Sequence, residues 1–132
     1  MRALDTNVLI RYLTADDRSQ FEISDRLIQD CRDAKEPLFL AVIVICEVVW
    51  VLERSYGQPK SAIVTVLEQI VQTDQFRIEQ EEIIRRSVAS YRTGRGSFAD
   101  YVIAEVSRSA GCRDVVTFDR KLKSSTMFTV LE

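Results

Sequence analysis

Four carboxylates stand out by where they fall in the chain. Asp5 ends a short apolar approach, Arg2-Ala3-Leu4, and precedes the apolar-periodic segment Val8, Leu9, Ile10, Tyr12 and Leu13. Asp119 follows Val115-Val116-Thr117 in the same manner. Glu47 is the only charged residue between Glu36 and Glu53, set in Val-Ile-Cys-Glu-Val-Val-Trp. Asp100 comes three residues after Ser97. The chain contains no histidine, which removes Ser-His-Asp and Cys-His catalysis, His-ligated zinc and imidazole acid–base chemistry. What remains is chemistry by carboxylates, metal ions, hydroxyls and cations. Carboxylates crowded together repel, and some take up protons unless a cation joins them. Oxygen-only ligation suits Mg²⁺ or Mn²⁺ rather than zinc. Such an ion lowers the pKa of a bound water and stabilises in-line attack at phosphorus. It also reverses the local charge, which lets an acidic site hold an anionic strand.

Each of these acids has a plainer reading. Asp5, Thr6 and Asn7 are all good helix N-caps. Glu47 could lie on an exposed helix face or pair with an arginine. Ser97 and Asp100 have the spacing of a capping box, although Glu or Gln is its usual second member. Thr117-Phe118-Asp119-Arg120 could be a cap before a short helix. Basic residues near the acids could grip a phosphate backbone or simply be solvated. Arg11 lies one helix face on from Asp5. Arg92 and Arg95 flank the Gly94–Gly96 loop, and Arg120, Lys121 and Lys123 follow Asp119. Ser97 and Thr117 could orient a water or a carboxylate.

The elements that must position these residues alternate. A strand over residues 2–4 leads into the first helix, and an amphipathic helix spans about 20–34, with Phe21, Ile23, Leu27, Ile28 and Cys31 recurring at helical spacing. Leu38-Phe39-Leu40 is a compact strand. The run from Ala41 to Cys46 is strand-like in composition, but it continues unbroken to Tyr56-Gly57, which favours a buried helix over 42–55. Pro59 opens a helix to about residue 72, with Ile63, Val66, Leu67, Ile70 and Val71 on one face. Phe76-Arg77-Ile78 is a strand, residues 81–91 a helix with Ile83, Ile84 and Val88 inward, and residues 97–109 another helix stopped by Gly111. A strand over 114–117, a helical turn over 118–123 and a last strand over 127–130 complete the chain. Short strands alternating with longer helices predict an α/β protein with a mostly parallel sheet. In such sheets ligands bind where strand ends lead into helices, and both Asp5 and Asp119 fall there.

At 132 residues the chain is expected to be one domain, residues 1–132. It is 46% apolar, enough for a core, and its net charge of -2 leaves no bulk basic surface for nucleic acid. Cys31, Cys46 and Cys112 fit no metal motif, and their odd number suggests reduced thiols. Asp5 interrupts the only apolar stretch near the N-terminus, so no signal peptide is expected. The most apolar segment, 38–52, contains Glu47 and is too short for a bilayer. A soluble cytoplasmic protein is the expectation.

Read together, these segments resemble a known family. Leu4-Asp5-Thr6-Asn7-Val8-Leu9-Ile10-Arg11-Tyr12-Leu13 is similar to the opening of PIN-domain proteins, in particular the VapC-like toxins of type II toxin–antitoxin pairs. Val44 to Leu52 resembles their second acidic motif, Phe98 to Ala104 the third, and Val116 to Leu122 the fourth. The resemblance covers essentially the whole chain, with the motifs in order. It implies a three-layer α/β/α fold with a central, mostly parallel sheet of short strands. It further implies a Mg²⁺- or Mn²⁺-dependent endoribonuclease whose catalytic and metal-binding acids are Asp5, Glu47, Asp100 and Asp119. Thr117, and less firmly Asn7, match supporting polar positions. Arg11, Arg92, Arg95 and Arg120 are candidate RNA phosphate contacts. The implied partners are an RNA substrate, a cognate antitoxin and a second copy in a homodimer, with no membrane. Tyr101 stands where many relatives carry a small residue, and could narrow the pocket or stack on a base. The competing readings are a PIN-like module that binds RNA or protein without catalysis, and a phosphatase using Asp as nucleophile. The latter is disfavoured because Asn7 replaces the second Asp that such enzymes place two residues on.

Overall fold

Every strand in the chain is three residues long or shorter, and every pairing is parallel. The computed structural model describes all residues from Met1 to Glu132, which fall into two compact units, Met1–Glu81 and Glu82–Glu132.

The first unit runs β1 (Arg2–Ala3), α1 (Thr6–Thr14), α2 (Arg18–Asp33), β2 (Leu38–Leu40), α3 (Val42–Arg54), α4 (Lys60–Gln72) and β3 (Phe76–Ile78). Its sheet has the order β1-β2-β3, with Arg2 beside Leu38 and Leu38 beside Phe76. Parallel neighbours need crossovers, and the helices between the strands supply them. Leu38 and Leu40 are fully buried, with Leu9, Ile28, Ile45, Leu52, Ile63 and Leu67 among the other core residues of this unit.

The β-branched run after β2 is helical. Ala41 is extended and offers no side-chain cap, and the Val42 amide donates instead to Glu79 Oε1 at 2.9 Å. Burial of Val44, Ile45, Val48, Val49 and Leu52 on one side outweighs the weak helix preference of valine and isoleucine. Ile43, Glu47, Trp50 and Arg54 form the opposite, exposed stripe, with the Arg54 guanidinium 5.6 Å from the Trp50 ring centre. In α2 the inward stripe is Ser24, Ile28 and Cys31. Ile23, expected inside, is 68% exposed because it sits one position off that stripe.

A polar brace closes α1 against its neighbours. Arg11 donates to Gln20 Oε1 (2.7 Å), to Asp16 Oδ1 (3.2 Å) and to the Tyr56 hydroxyl (3.3 Å). Tyr56 and Thr14 each donate to Asp16, at 2.8 and 2.9 Å. The Tyr56 hydroxyl foremost, then Thr14 and the Arg11 charge, hold the Asp16 carboxyl below its usual range.

The helix α5 (Glu81–Thr93) leads into the second unit, followed by α6 (Phe98–Ser109), β4 (Val115–Thr117), a 3₁₀ turn (Arg120–Leu122) and β5 (Phe128–Val130). β4 and β5 pair with Val115 beside Phe128. Tyr91 meets Phe98 edge-on at 5.8 Å, and Tyr101 meets Phe128 at 6.5 Å. Glu105 is the one buried charged side chain of the chain. It reaches Arg108 at 3.8 Å, and its Oε2 has no hydrogen-bond partner.

Six helices alternating with parallel short strands give the α/β/α type of fold expected from the sequence. The strands form two parallel ladders, of three and two strands. No helix is long and apolar enough to cross a membrane.

Candidate active site

Asp5 is extended (φ -77°, ψ 159°) and is itself the N-cap of α1. Its Oδ1 accepts from the Thr6 amide at 2.8 Å, and its carbonyl accepts from Val8 and Leu9. Of the three residues able to cap α1, Asp5 takes the role rather than Thr6 or Asn7. Both lie inside the first turn, where a side chain no longer reaches the orphan amides. Thr6 has a different task. Its buried hydroxyl donates to Glu47 Oε1 at 2.8 Å, across 41 residues of sequence. One residue thus ties the carboxylate at the end of β1 to the carboxylate on α3. Glu47 belongs to the exposed stripe of α3, so its presence in an apolar run reflects the helix period. Burial, and next to it the Glu47 charge, push the adjoining Cys46 thiol upward.

In the second unit Asp100 completes a capping box. The Asp100 amide donates to Ser97 Oγ (3.2 Å), and the Ser97 amide donates to Asp100 Oδ2 (2.8 Å). Asp119 caps the 3₁₀ turn, its Oδ1 accepting from the Lys121 amide at 3.0 Å. Thr117 steadies this turn, because its Oγ1 accepts from the Asp119 amide at 3.0 Å.

Capping and ligation are not rivals here. In each carboxylate one oxygen is fixed by a short hydrogen bond: Asp5 Oδ1, Glu47 Oε1, Asp100 Oδ2 and Asp119 Oδ1. A carboxylate has two oxygens and about four lone-pair sites, so the second oxygen remains for another partner. For Asp119 that oxygen meets only the Lys121 ammonium, at 3.9 Å. Three of the four acids also stand at helix or 3₁₀ starts, where the backbone dipoles favour a negative charge.

Among the other expected residues, Asn7 is exposed on the first turn of α1, and Arg92, Arg95 and Arg120 are exposed. Arg11 is occupied by the brace with Asp16, Gln20 and Tyr56. Tyr101 does not offer a face for stacking. It is 3% exposed, and its hydroxyl accepts from the Gly96 amide at 3.0 Å. Gly94 and Gly96 allow this, since a Cβ at Gly94 would lie 1.8 Å from the Tyr101 hydroxyl and one at Gly96 2.6 Å from Leu122.

No group of three or more Asp, Glu, Cys or His side chains is gathered as a metal site. The donor set still fits a hard cation. Mg²⁺ takes oxygen donors, keeps several waters and is often held by one or two carboxylates together with substrate phosphates. Asp5 and Glu47, linked through Thr6, provide such a pair.

The chain matches the family model of the PIN domain over residues 2–125, and it belongs to that family. It is similar to a VapC ribonuclease of Aquifex aeolicus (strain VF5), with 29% identity over 130 residues, covering 98% of this chain and 96% of the relative. No solved structure matches it significantly.

Proposed function

We propose that the protein is a metal-dependent endoribonuclease acting as the toxin of a toxin–antitoxin pair, its 132 residues serving as a single nuclease domain. The near full-length similarity to a VapC ribonuclease carries this reading, and the linked carboxylates of Asp5 and Glu47 support it. Asp5, Glu47, Asp100 and Asp119 are the residues that hold Mg²⁺ or Mn²⁺. When bound, the ion supplies a water of lowered pKa and neutralises charge on the phosphate under attack. The rest is the work of the chain. Thr6 fixes the Glu47 carboxylate, the capping bonds fix the three aspartates, and Thr117 holds the turn that carries Asp119. Rigidly placed groups cost no reorganisation as the reaction proceeds. Asn7 assists as a polar neighbour on α1. Exposed Arg92, Arg95 and Arg120 meet RNA phosphates. A cognate antitoxin and a second copy of the chain are the proposed protein partners, in the cytoplasm.

The test is cleavage of RNA by the purified protein with Mn²⁺, wild type against Asp5→Asn. Cleavage by wild type alone is the expected result; equal rates in both would end the proposal. A non-catalytic binding module is the second reading, favoured by the lack of any three-donor group. Calorimetry separates the two, because only the nuclease should bind Mn²⁺ better than Asp5→Asn does.

A further inference from the structure

The second unit contains a cavity of about 360 Å³ that none of the four carboxylates lines. Its wall includes Arg95, Lys121, the Tyr101 hydroxyl, Ser124, Ser125 and Thr126, and no acidic side chain. The wall therefore carries two positive charges and several hydroxyls, with Met127 beside them. Arg95 has no ion pair or hydrogen bond of its own. Lys121 is 63% exposed and makes only the long contact to Asp119. Tyr101 accepts from the Gly96 amide, which leaves its own proton for donation. A cation is repelled by the two positive charges of such a wall. A phosphate has the opposite character, with several acceptors and negative charge, and matches guanidinium, ammonium and hydroxyl donors. The volume is in the range of small-ligand sites and larger than one phosphate needs.

Two lining residues lead to the assigned acids of this unit: Tyr101 follows Asp100 in the chain, and Lys121 contacts Asp119. The point where a Gly96 Cβ would stand is 3.1 Å from Asp100 Oδ2 and 3.3 Å from the Tyr101 hydroxyl. Lys121 reaches from the cavity to Asp119. We propose that this cavity binds a backbone phosphate of the RNA strand, separate from the phosphate that is cut. The identity of the ligand rests on the ribonuclease reading. Arg95 and Lys121 supply the charge, and the hydroxyls of Tyr101, Ser124 and Thr126 supply neutral donors. The cavity thus fixes the strand relative to Asp100 and Asp119.

The experiment uses full-length Asp5→Asn protein, silent in cleavage, with and without the added pair Arg95→Gln and Lys121→Gln. Both added positions are exposed, so the fold should persist. Inorganic phosphate is titrated while amide resonances of Gly94, Gly96, Ser124 and Ser125 are followed by NMR. Affinity for a single-stranded oligoribonucleotide is then measured across salt concentrations. Phosphate should shift those amides only when Arg95 and Lys121 are present. The added pair should weaken RNA binding about tenfold and make the salt slope shallower by about 0.7, the loss of one phosphate contact. Unchanged affinity and slope overturn the proposal while leaving the ribonuclease reading intact. Phosphate shifts without RNA binding in either protein overturn the RNA assignment together with that reading.

Discussion

Thr6 is the side chain on which the first pair of acids depends. Its hydroxyl is buried and spends its proton on Glu47, while its amide holds Asp5. Thr6→Val keeps shape and amide but loses the hydroxyl donor. Supporting hydrogen bonds around metal ligands are worth about 10- to 100-fold in activity or metal affinity. We expect Thr6→Val to lose RNA cleavage on that scale, Thr6→Ser to recover most of it, and both to melt within a few degrees of wild type; a fully active Thr6→Val would remove this role. Asp16 tests the brace by pH. Its carboxyl titrates below the usual range, so its contribution is present above the ordinary Asp pKa and is lost as pH falls through the depressed value. Tyr56→Phe removes the largest cause of that depression. NMR titration should show the Asp16 pKa rise in this variant, and acid unfolding should depend less on Asp16; an unmoved pKa would count against the brace.

At the level of elements, the loop before α6 and its cap set where Asp100 sits. Ser97→Ala removes one side of the capping box and should cost about 1 kcal/mol, read by chemical denaturation. The Asp100 carboxylate keeps its bond from the backbone amide of residue 97, so cleavage should fall no further than the lost stability explains. Gly94→Ala places a methyl group against the Tyr101 ring and the Ser90 carbonyl, neither of which can yield easily. A destabilisation of about 2 kcal/mol or more is expected, as for other overpacked sites, with a lowered Tm as the measurement. The helix α6 carries a further liability in Glu105, buried with an unpartnered oxygen. Replacing it by Gln removes a buried charge, and should leave Tm unchanged or higher. A strongly lowered Tm would show that the weak contact to Arg108 matters more than its 3.8 Å length suggests.

For the whole molecule, the proposed nuclease reaction uses all four carboxylates. Groups that act as a set are not additive when removed. Asp5→Asn and Asp119→Asn should each cost at least about 100-fold in cleavage, and the double variant should cost little more than the worse single one. Multiplying losses would show that the two acids work independently.

The sequence by itself determined most of the elements and the family. Periodicity placed β2 and β3 at their observed bounds, and placed α3 as a helix despite its β-branched composition, because thirteen unbroken residues are too many for a strand of this fold. The order of the four acids was legible for the same reason, since strand ends and helix starts have local signatures. The structure decided what is not local. The Thr6–Glu47 bond spans 41 positions, and no pattern in either segment announces it. It also decided that Glu47 faces outward, that Asp5 caps its own helix, and that Tyr101 is buried against Phe128. These depend on which face of an element meets the core, a choice made by packing between segments distant in sequence.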